Sequence, residues 1–197
     1  QRRCANARYG IQSAPAGALG NGLTERMDAV RNPGNDSGGA ALIQGRTLCM
    51  VGAEVEALLD AGVSTWNSWR MENPEEVPDM KDVALQGRQL QGINFRKLNL
   101  AGANLTRCEC TNADFSLADF SGAILVKANL SRVNFSGTRL IGADLTDANI
   151  FCANLRGADL NRAILRAANL SGADLSKADF TLADLTGARL WMRYFGK

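Results

Sequence analysis

A large apolar residue returns at every fifth position of the chain from Leu85 to Leu190. The 22 positions of this series hold 15 Leu, 5 Phe, Ile150 and Cys110. Two positions before each stands a residue that is Ala in 15 of 22 units, and between the two stands Asp or Asn, again in 15 of 22. The repeated unit is therefore Ala-(Asp/Asn)-Leu-X-X, and a repeat of this regularity is the first feature to explain.

A period of five matches neither the about 3.6 residues per turn of an α-helix nor the alternation of a strand. The pattern closes if each unit forms one side of a coil and then turns, so that Ala and Leu point inward and the Asp or Asn between them points outward. Ala beside Leu suits a narrow interior, which two large residues per side would overfill. Gly ends nine units, from Gly87 to Gly187, where the chain must turn sharply.

These units resemble the repeats of the pentapeptide-repeat family. The resemblance implies an all-β solenoid, a right-handed quadrilateral β-helix with four pentapeptides in each coil. About 22 units at about 4.8 Å per coil would make a rod roughly 26 Å long. The resemblance also implies a core that needs no metal, cofactor or disulfide, so we expect neither a metal site nor a cofactor site.

The composition divides the chain into three regions. Residues 1–50 are predicted to be an irregular extension or docking arm, residues 51–79 a capping helix with a Pro-containing linker, and residues 80–197 the β-helix with a C-terminal aromatic cap. Residues 1–24 contain three Arg and no acid, a bias typical of an organellar presequence or its remnant. Since the chain begins with Gln1, we expect a processed or partial chain. A plastid, where family members occur in the thylakoid lumen, is the favoured location, and bacterial cytoplasm is the alternative.

Apolar residues recur at helical spacing from Val51 to Met71 and predict one amphipathic helix there. Two prolines follow and end it. Residues 66–74 resemble a segment that often precedes the repeats in this family. We expect Trp66 and Trp69 to cap the first coil, because an open β edge invites end-to-end stacking.

Four outer positions break the polar pattern. Ile124 and Ile164 stand where Asp or Asn is expected, and a coil of 20 residues would stack them on one face with Asp144 between them. Val126 lies on the same face, and Phe151 lies on a neighbouring one. These residues are a candidate lateral contact surface, although scattered apolar surface residues are also normal.

The C-terminal end also departs from the consensus. Trp191, Tyr194 and Phe195 are predicted to form either a lid over the last coil or a homodimer contact, which related proteins often make through this end. Large exposed apolar ends tend to be interfaces.

The sequence offers little chemistry. Five Cys at irregular spacing and no His argue against a zinc site and a disulfide framework, and also remove the commonest general base. Cys108 and Cys110 are predicted to point inward as small apolar residues, while Cys152 lies at an outer corner. The Asp/Asn positions are expected to bond the local turn backbone. A filled column offers no deep pocket, so we expect no enzyme.

Two functions from different classes remain. The first is a non-catalytic scaffold that mediates protein–protein contacts as a subunit of a larger assembly. The second follows from the resemblance: some family members mimic DNA and bind type II topoisomerases, which requires a strongly negative surface. Residues 85–197 contain 14 Lys and Arg against 9 Asp and Glu, a net charge of +5, which disfavours mimicry. Direct nucleic-acid binding is disfavoured by the scarcity of outer aromatic residues. The expected partners are proteins, and no apolar run is long enough for a transmembrane segment.

Overall fold

The computed structural model describes residues 52–191. It contains two helices, α1 (Gly52–Asp60) and α2 (Val63–Glu72), followed by a coil of five-residue units. The helices and the coil belong to one compact unit. The predicted arm over residues 1–50 and the predicted contacts of Tyr194 and Phe195 lie outside the described residues.

The prediction of one helix over residues 51–71 is wrong, because the helix is interrupted between Asp60 and Val63. Gly62 has a φ of 102°, a backbone conformation that glycine adopts without strain and that a helix cannot continue. Glycine commonly ends helices, and the recurrence of apolar residues from Val51 to Met71 does not reveal such a break. As a result two short helices, rather than one, precede the coil.

Parallel β-bridges join residues that are 20 positions apart, from Asp79–Asn99 to Asn169–Arg189. Each unit makes its bridge through the position that the consensus gives to Asp or Asn, so one coil comprises four five-residue sides. Every bridge in the described part is isolated, so the sides of the coil are single bridges rather than continuous strands. The bridging starts one unit before the Leu85 unit, where Met80 occupies the buried position.

The backbone N–H groups of a unit have a fixed set of acceptors. In the unit around Leu125, the N–H groups of Leu125 and Lys127 donate to the following coil, and that of Ile124 donates to the preceding coil, at 2.7 to 2.9 Å. The N–H of Ala128 closes the turn on the carbonyl of Leu125 at 3.1 Å. Only the N–H of the residue after the central Leu lacks a backbone acceptor. A backbone N–H that is removed from water needs a hydrogen-bond acceptor, so this one must find its acceptor elsewhere.

The interior is a continuous apolar column. Leu125, Leu145 and Leu165 occupy equivalent positions in successive coils and are at most 1% exposed. On another side the rings of Phe95 and Phe115 stack with centroids 5.8 Å apart and planes 15° apart. The alternation of Ala and Leu read from the sequence therefore corresponds to the inner surface of the coil, with close packing throughout its middle.

The last residue of every unit from Asp82 to Gly187 has a φ between 55° and 72°. This left-handed conformation turns the chain at each corner, and glycine adopts it without strain. Thirteen of these corners carry other residues, and none of the thirteen is Val, Ile or Thr. β-branched side chains are strongly disfavoured at positive φ, so the corner position carries a restriction that the sequence pattern alone did not reveal.

Candidate interaction surface

The outer Asp or Asn of most units accepts a hydrogen bond from the backbone N–H two residues later, at 2.8 to 3.4 Å. In six units the hydroxyl of the following Ser or Thr donates to the same oxygen: Thr106, Ser121, Ser131, Thr146, Thr181 and Thr186. This bond serves the one N–H that the coils leave without a backbone acceptor. The expectation that these side chains bond the local turn is confirmed.

Asparagines at the outer position also bond between coils. On the side that contains Asn149, its Nδ2 donates to Oδ1 of Asn129 at 3.2 Å, and Asn169 donates to Asn149 at 3.1 Å. Below them Asn129 donates to Glu109 at 2.8 Å. Within residues 52–191 no group of three or more Cys, Asp or Glu is placed to hold a metal ion. The outer polar ladder is thus part of the architecture.

Ile124 and Ile164 interrupt this system on one side of the coil. Their side chains offer no acceptor, so the N–H groups of Val126 and Arg166 lack the turn bond that units with Asp or Asn form on the same side. Ile124 is 39% exposed and Ile164 is 36% exposed, and two coils separate them by about 10 Å. Val126, half-buried, follows Ile124 on the same side. We call Ile124, Val126 and Ile164 the isoleucine face.

Asp144 bridges to both isoleucines but directs its carboxylate to its own turn. Its Oδ1 accepts from the N–H of Thr146 at 2.9 Å and from the Thr146 hydroxyl at 2.6 Å. The carboxylate is thereby occupied locally, and the isoleucine face presents two branched apolar side chains on either side of a hydrogen-bonded turn.

Phe151 is placed apart from the isoleucine face. It occupies the position after the central apolar residue on the next side of the coil, in the same column as Ser171 and Trp191. Phe151 is 41% exposed and Trp191 is 78% exposed, two coils or about 10 Å apart. The structure therefore separates the predicted contact residues into the isoleucine face and an aromatic column, Phe151 and Trp191.

Helix α2 covers the edge of the first coil with aromatic side chains. Trp66 is fully buried, and its ring meets that of Phe95 edge-on at 5.3 Å. Trp69 is also buried and lies 5.8 Å from Trp66. The aromatic stack of the column thus continues from Phe115 through Phe95 into the helix.

Polar side chains of α2 bond the backbone groups that a preceding coil would have bonded. Trp66 Nε1 donates to the carbonyl of Asn94 at 2.8 Å, and Asn67 Oδ1 accepts from the N–H of Asn94 at 2.9 Å. Arg70 Nη2 donates to the carbonyl of Arg96 at 3.1 Å. Sequence reasoning named the two tryptophans but missed Asn67 and Arg70. Arg70 follows Asn67 by three residues and Trp66 by four, spacings that place side chains on one face of a helix, and this was the available signal.

The buried thiols have structural partners. Cys108 Sγ donates to the carbonyl of Leu85 at 2.8 Å, and the hydroxyl of Thr138 makes the equivalent bond to the carbonyl of Phe115 at 2.8 Å. The hydrogen bond with Cys108, together with burial, raises the pKa of Cys110 well above its ordinary value. Both thiols point inward as predicted. A buried thiol of raised pKa, such as that of Cys110, is a poor nucleophile.

Among the residues that the structure describes, neither α1 nor α2 is long and apolar enough to cross a membrane.

The sequence model of the family called pentapeptide repeats (8 copies) matches residues 79–122, 113–150, 128–166 and 153–191 of this chain. Among solved structures, HetL from the cyanobacterium Nostoc sp. PCC 7120, a pentapeptide-repeat protein involved in regulation of heterocyst differentiation, is 28% identical with a TM-score of 0.42. That match covers 58% of this chain, which spans 62% of the length of HetL.

Two further structures are similar. Rfr23 from Cyanothece 51142 is 26% identical, covering 64% of this chain and 95% of Rfr23, with a TM-score of 0.35. A pentapeptide-repeat protein of the Arabidopsis thaliana thylakoid lumen is 23% identical, covering 55% of this chain and 66% of that protein, with a TM-score of 0.26. No curated protein is similar enough in sequence to be matched to this chain. The repeat pattern spans more than half of the chain, and the protein therefore belongs to the pentapeptide-repeat family.

Proposed function

We propose that the protein is a non-catalytic scaffold, a right-handed solenoid of about 22 repeats that binds a partner protein through the isoleucine face. In this proposal it is a subunit of a larger assembly. The observation that carries the proposal is the replacement of a turn-bonding oxygen by an exposed isoleucine at both Ile124 and Ile164.

We expect these two replacements to weaken the isolated chain. On the same side, the units of Asn104, Asp144 and Asp184 keep the bond. A hydrogen bond of this kind contributes about 0.5–1.5 kcal/mol. An isoleucine side chain that remains more than one-third exposed gains only part of the about 1.5–3 kcal/mol of a fully buried one, and an asparagine at the same place would bury part of its own surface as well. A residue that departs from the repeat consensus without stabilising the isolated chain is typical of a functional position.

The shape of the coil supports a contact surface rather than a catalytic centre. The interior is filled by side chains of which most are fully buried, and a ligand pocket of ordinary size needs a concave, partly apolar cavity. In repeat proteins each repeat contacts only its neighbours, so the repeats stack into a long body. The extended faces of that body serve as binding surfaces. A DNA mimic that binds a topoisomerase is the alternative, and the net charge of +5 over residues 85–197 disfavours it.

A homodimer through the C-terminal end is a second proposed contact. Trp191 is 78% exposed there, and the central residues of the last coil, among them Leu175 and Leu185, are only half-buried. Sedimentation of the full chain and of Trp191→Ser tests it. A concentration-dependent dimer that the substitution weakens supports this contact, and a monomer at all concentrations refutes it.

The scaffold proposal is tested by quantitative affinity purification. The full chain is compared with the double variant Ile124→Asn/Ile164→Asn, which restores the consensus residue at both positions. Leu182→Asn is the matched control, because Leu182 is 72% exposed and stands at a corner, with a φ of 59°, rather than at the outward position that the two isoleucines occupy. A partner that binds the natural chain and the control, but not the double variant, supports the proposal. The same set of proteins bound to all three would contradict it.

A further inference from the structure

A groove of about 430 Å³ runs along a corner of the solenoid that the scaffold proposal does not use. Arg96, Arg156 and Lys177 line it, and its floor is formed by Ser116, Ser136 and Gly137. Its units lie two sides away from those of the isoleucine face, and thus on the opposite side of the four-sided coil. We call this feature the basic groove.

The three basic side chains of the groove form no ion pair within residues 52–191. Elsewhere in the described part Arg88, Arg139 and Arg166 each pair with an aspartate. The charge of Arg156 does reach Asp174, whose pKa is lowered first by hydrogen bonds from Ser176 and to a smaller extent by Arg156. The lining residues nevertheless carry three positive charges and no negative one, which favours an anionic ligand.

The floor offers hydrogen-bond donors. In two other turns the Ser hydroxyl bonds the preceding Asp or Asn, as Ser121 and Ser131 do. The backbone N–H groups of Ser116 and Ser136 make the turn bond, but their hydroxyls make none to the described residues. A Cβ at Gly137 would stand 2.9 Å from Cδ2 of Leu117, so glycine makes room for the Leu117 side chain, which also lines the groove.

We propose that the basic groove binds an extended acidic segment of a partner protein. Arg96 and Arg156 occupy the same column three coils apart, which corresponds to about 14 Å along the axis. In an extended peptide, residues i and i+4 point to the same side and are also about 14 Å apart. Two carboxylates at that spacing can meet the two arginines while the hydroxyl of Ser136, which is half-buried, donates to a peptide carbonyl between them.

Charge alone would also admit a nucleic acid. Single-stranded nucleic acids bind through aromatic side chains that stack on bases as well as through basic ones. The residues that line the groove include no aromatic side chain. A peptide with paired carboxylates therefore fits these residues better.

Fluorescence anisotropy with the full chain tests the proposal. The probe is a short labelled peptide of Thr, Ser and Val with two glutamates four residues apart. The comparison peptides replace both glutamates by glutamine or place them side by side, and a single-stranded oligothymidine is the third comparison. We expect the spaced-glutamate peptide to bind more tightly than all three, with an affinity that falls as salt rises from about 0.05 to about 0.5 M.

Matched variants assign the binding to the groove. Arg96→Gln/Arg156→Gln should weaken the spaced-glutamate peptide by about tenfold or more. Arg132→Gln/Arg162→Gln removes the same charge from exposed corners outside the groove and should leave at least most of the affinity. Ile124→Asn/Ile164→Asn should leave it unchanged, which separates this proposal from the scaffold proposal. Equal loss in both arginine pairs, equal binding of the side-by-side peptide, or tighter binding of the oligothymidine would overturn the proposal.

Discussion

The side-chain Oδ1 of Asn67 accepts a hydrogen bond from the backbone N–H of Asn94 at 2.9 Å. In an inner coil the equivalent group bonds the backbone of the preceding coil, as the N–H of Asp114 bonds the carbonyl of Ile93 at 2.9 Å. Asn67 therefore takes the place of a peptide group of a coil that is not there. Helix α2 closes this side of the solenoid with side chains, so no free β edge faces outward at Asn94.

Asn67→Ala should destabilise the protein by about 1–3 kcal/mol, because it leaves the N–H of Asn94 and the carbonyl of Gly92 without their partners. Urea unfolding followed by circular dichroism measures the change. Ser68→Ala is the control, since Ser68 is exposed on the same helix. If Asn67→Ala and Ser68→Ala unfold at the same urea concentration, the capping role of Asn67 is wrong.

We expect the stability of variants at corner positions to depend on backbone conformation rather than on packing. Gly122 has a φ of 66°, and a Cβ added there would meet no atom within 4 Å. Gly122→Ala should cost about 1 kcal/mol, and Gly122→Val should cost more. Gly122→Asn should be close to neutral, because Asn tolerates this conformation. Urea midpoints order the three variants, and a valine variant as stable as the asparagine variant would contradict the explanation.

Thr138 should contribute through its hydroxyl and not through its size. Thr138→Val keeps the shape but removes the bond to the carbonyl of Phe115, and it should cost about 1 kcal/mol. Thr138→Ser keeps the donor and should cost less than the valine variant does. Thermal or urea unfolding compares the two, and the reverse order would show that packing dominates at this position.

Asp184 should titrate at an unusually low pH. Hydrogen bonds from Thr186, followed by the hydrogen bond and charge of Arg166, lower the pKa of Asp184 from 3.8 to about 2. Because the folded pKa is depressed, its stabilising effect is complete above pH 3.8 and is lost as the pH falls through about 2. Carbon-detected NMR titration should give this value, and Arg166→Gln and Thr186→Val should each raise it. An unchanged pKa in both variants would refute these causes.

Much of the fold follows from the sequence because the period of five encodes which side chains point inward. The buried stack of Leu125 and Leu145, the inward thiol of Cys108 and the turn-bonding aspartates all follow from that period. The period contains no information on how the coil begins, because the hydrogen-bond partners of the first coil come from residues outside the repeat. For that reason Asn67 was missed, and the break at Gly62 was read as a continuous helix.

The candidate surfaces were only partly predictable for a similar reason. A coil of 20 residues places Ile124 and Ile164 on one side, as the sequence indicated. It does not by itself show which corner residues share a groove. The basic groove depends on the packing of Leu117 against Gly137 and on arginines three coils apart, relationships that appear only when the coils are stacked.

The isoleucine face is most directly tested by the free energy of unfolding of Ile124→Asn/Ile164→Asn in the absence of any partner. Asparagine at both positions can accept from the N–H groups of Val126 and Arg166, so we predict a double variant more stable than the natural chain, by at most about 3 kcal/mol. That result would show that the natural isoleucines are kept at the expense of stability, as a binding surface requires. A double variant that is less stable than the natural chain would mean that the isoleucines serve the fold itself, and it would contradict the account.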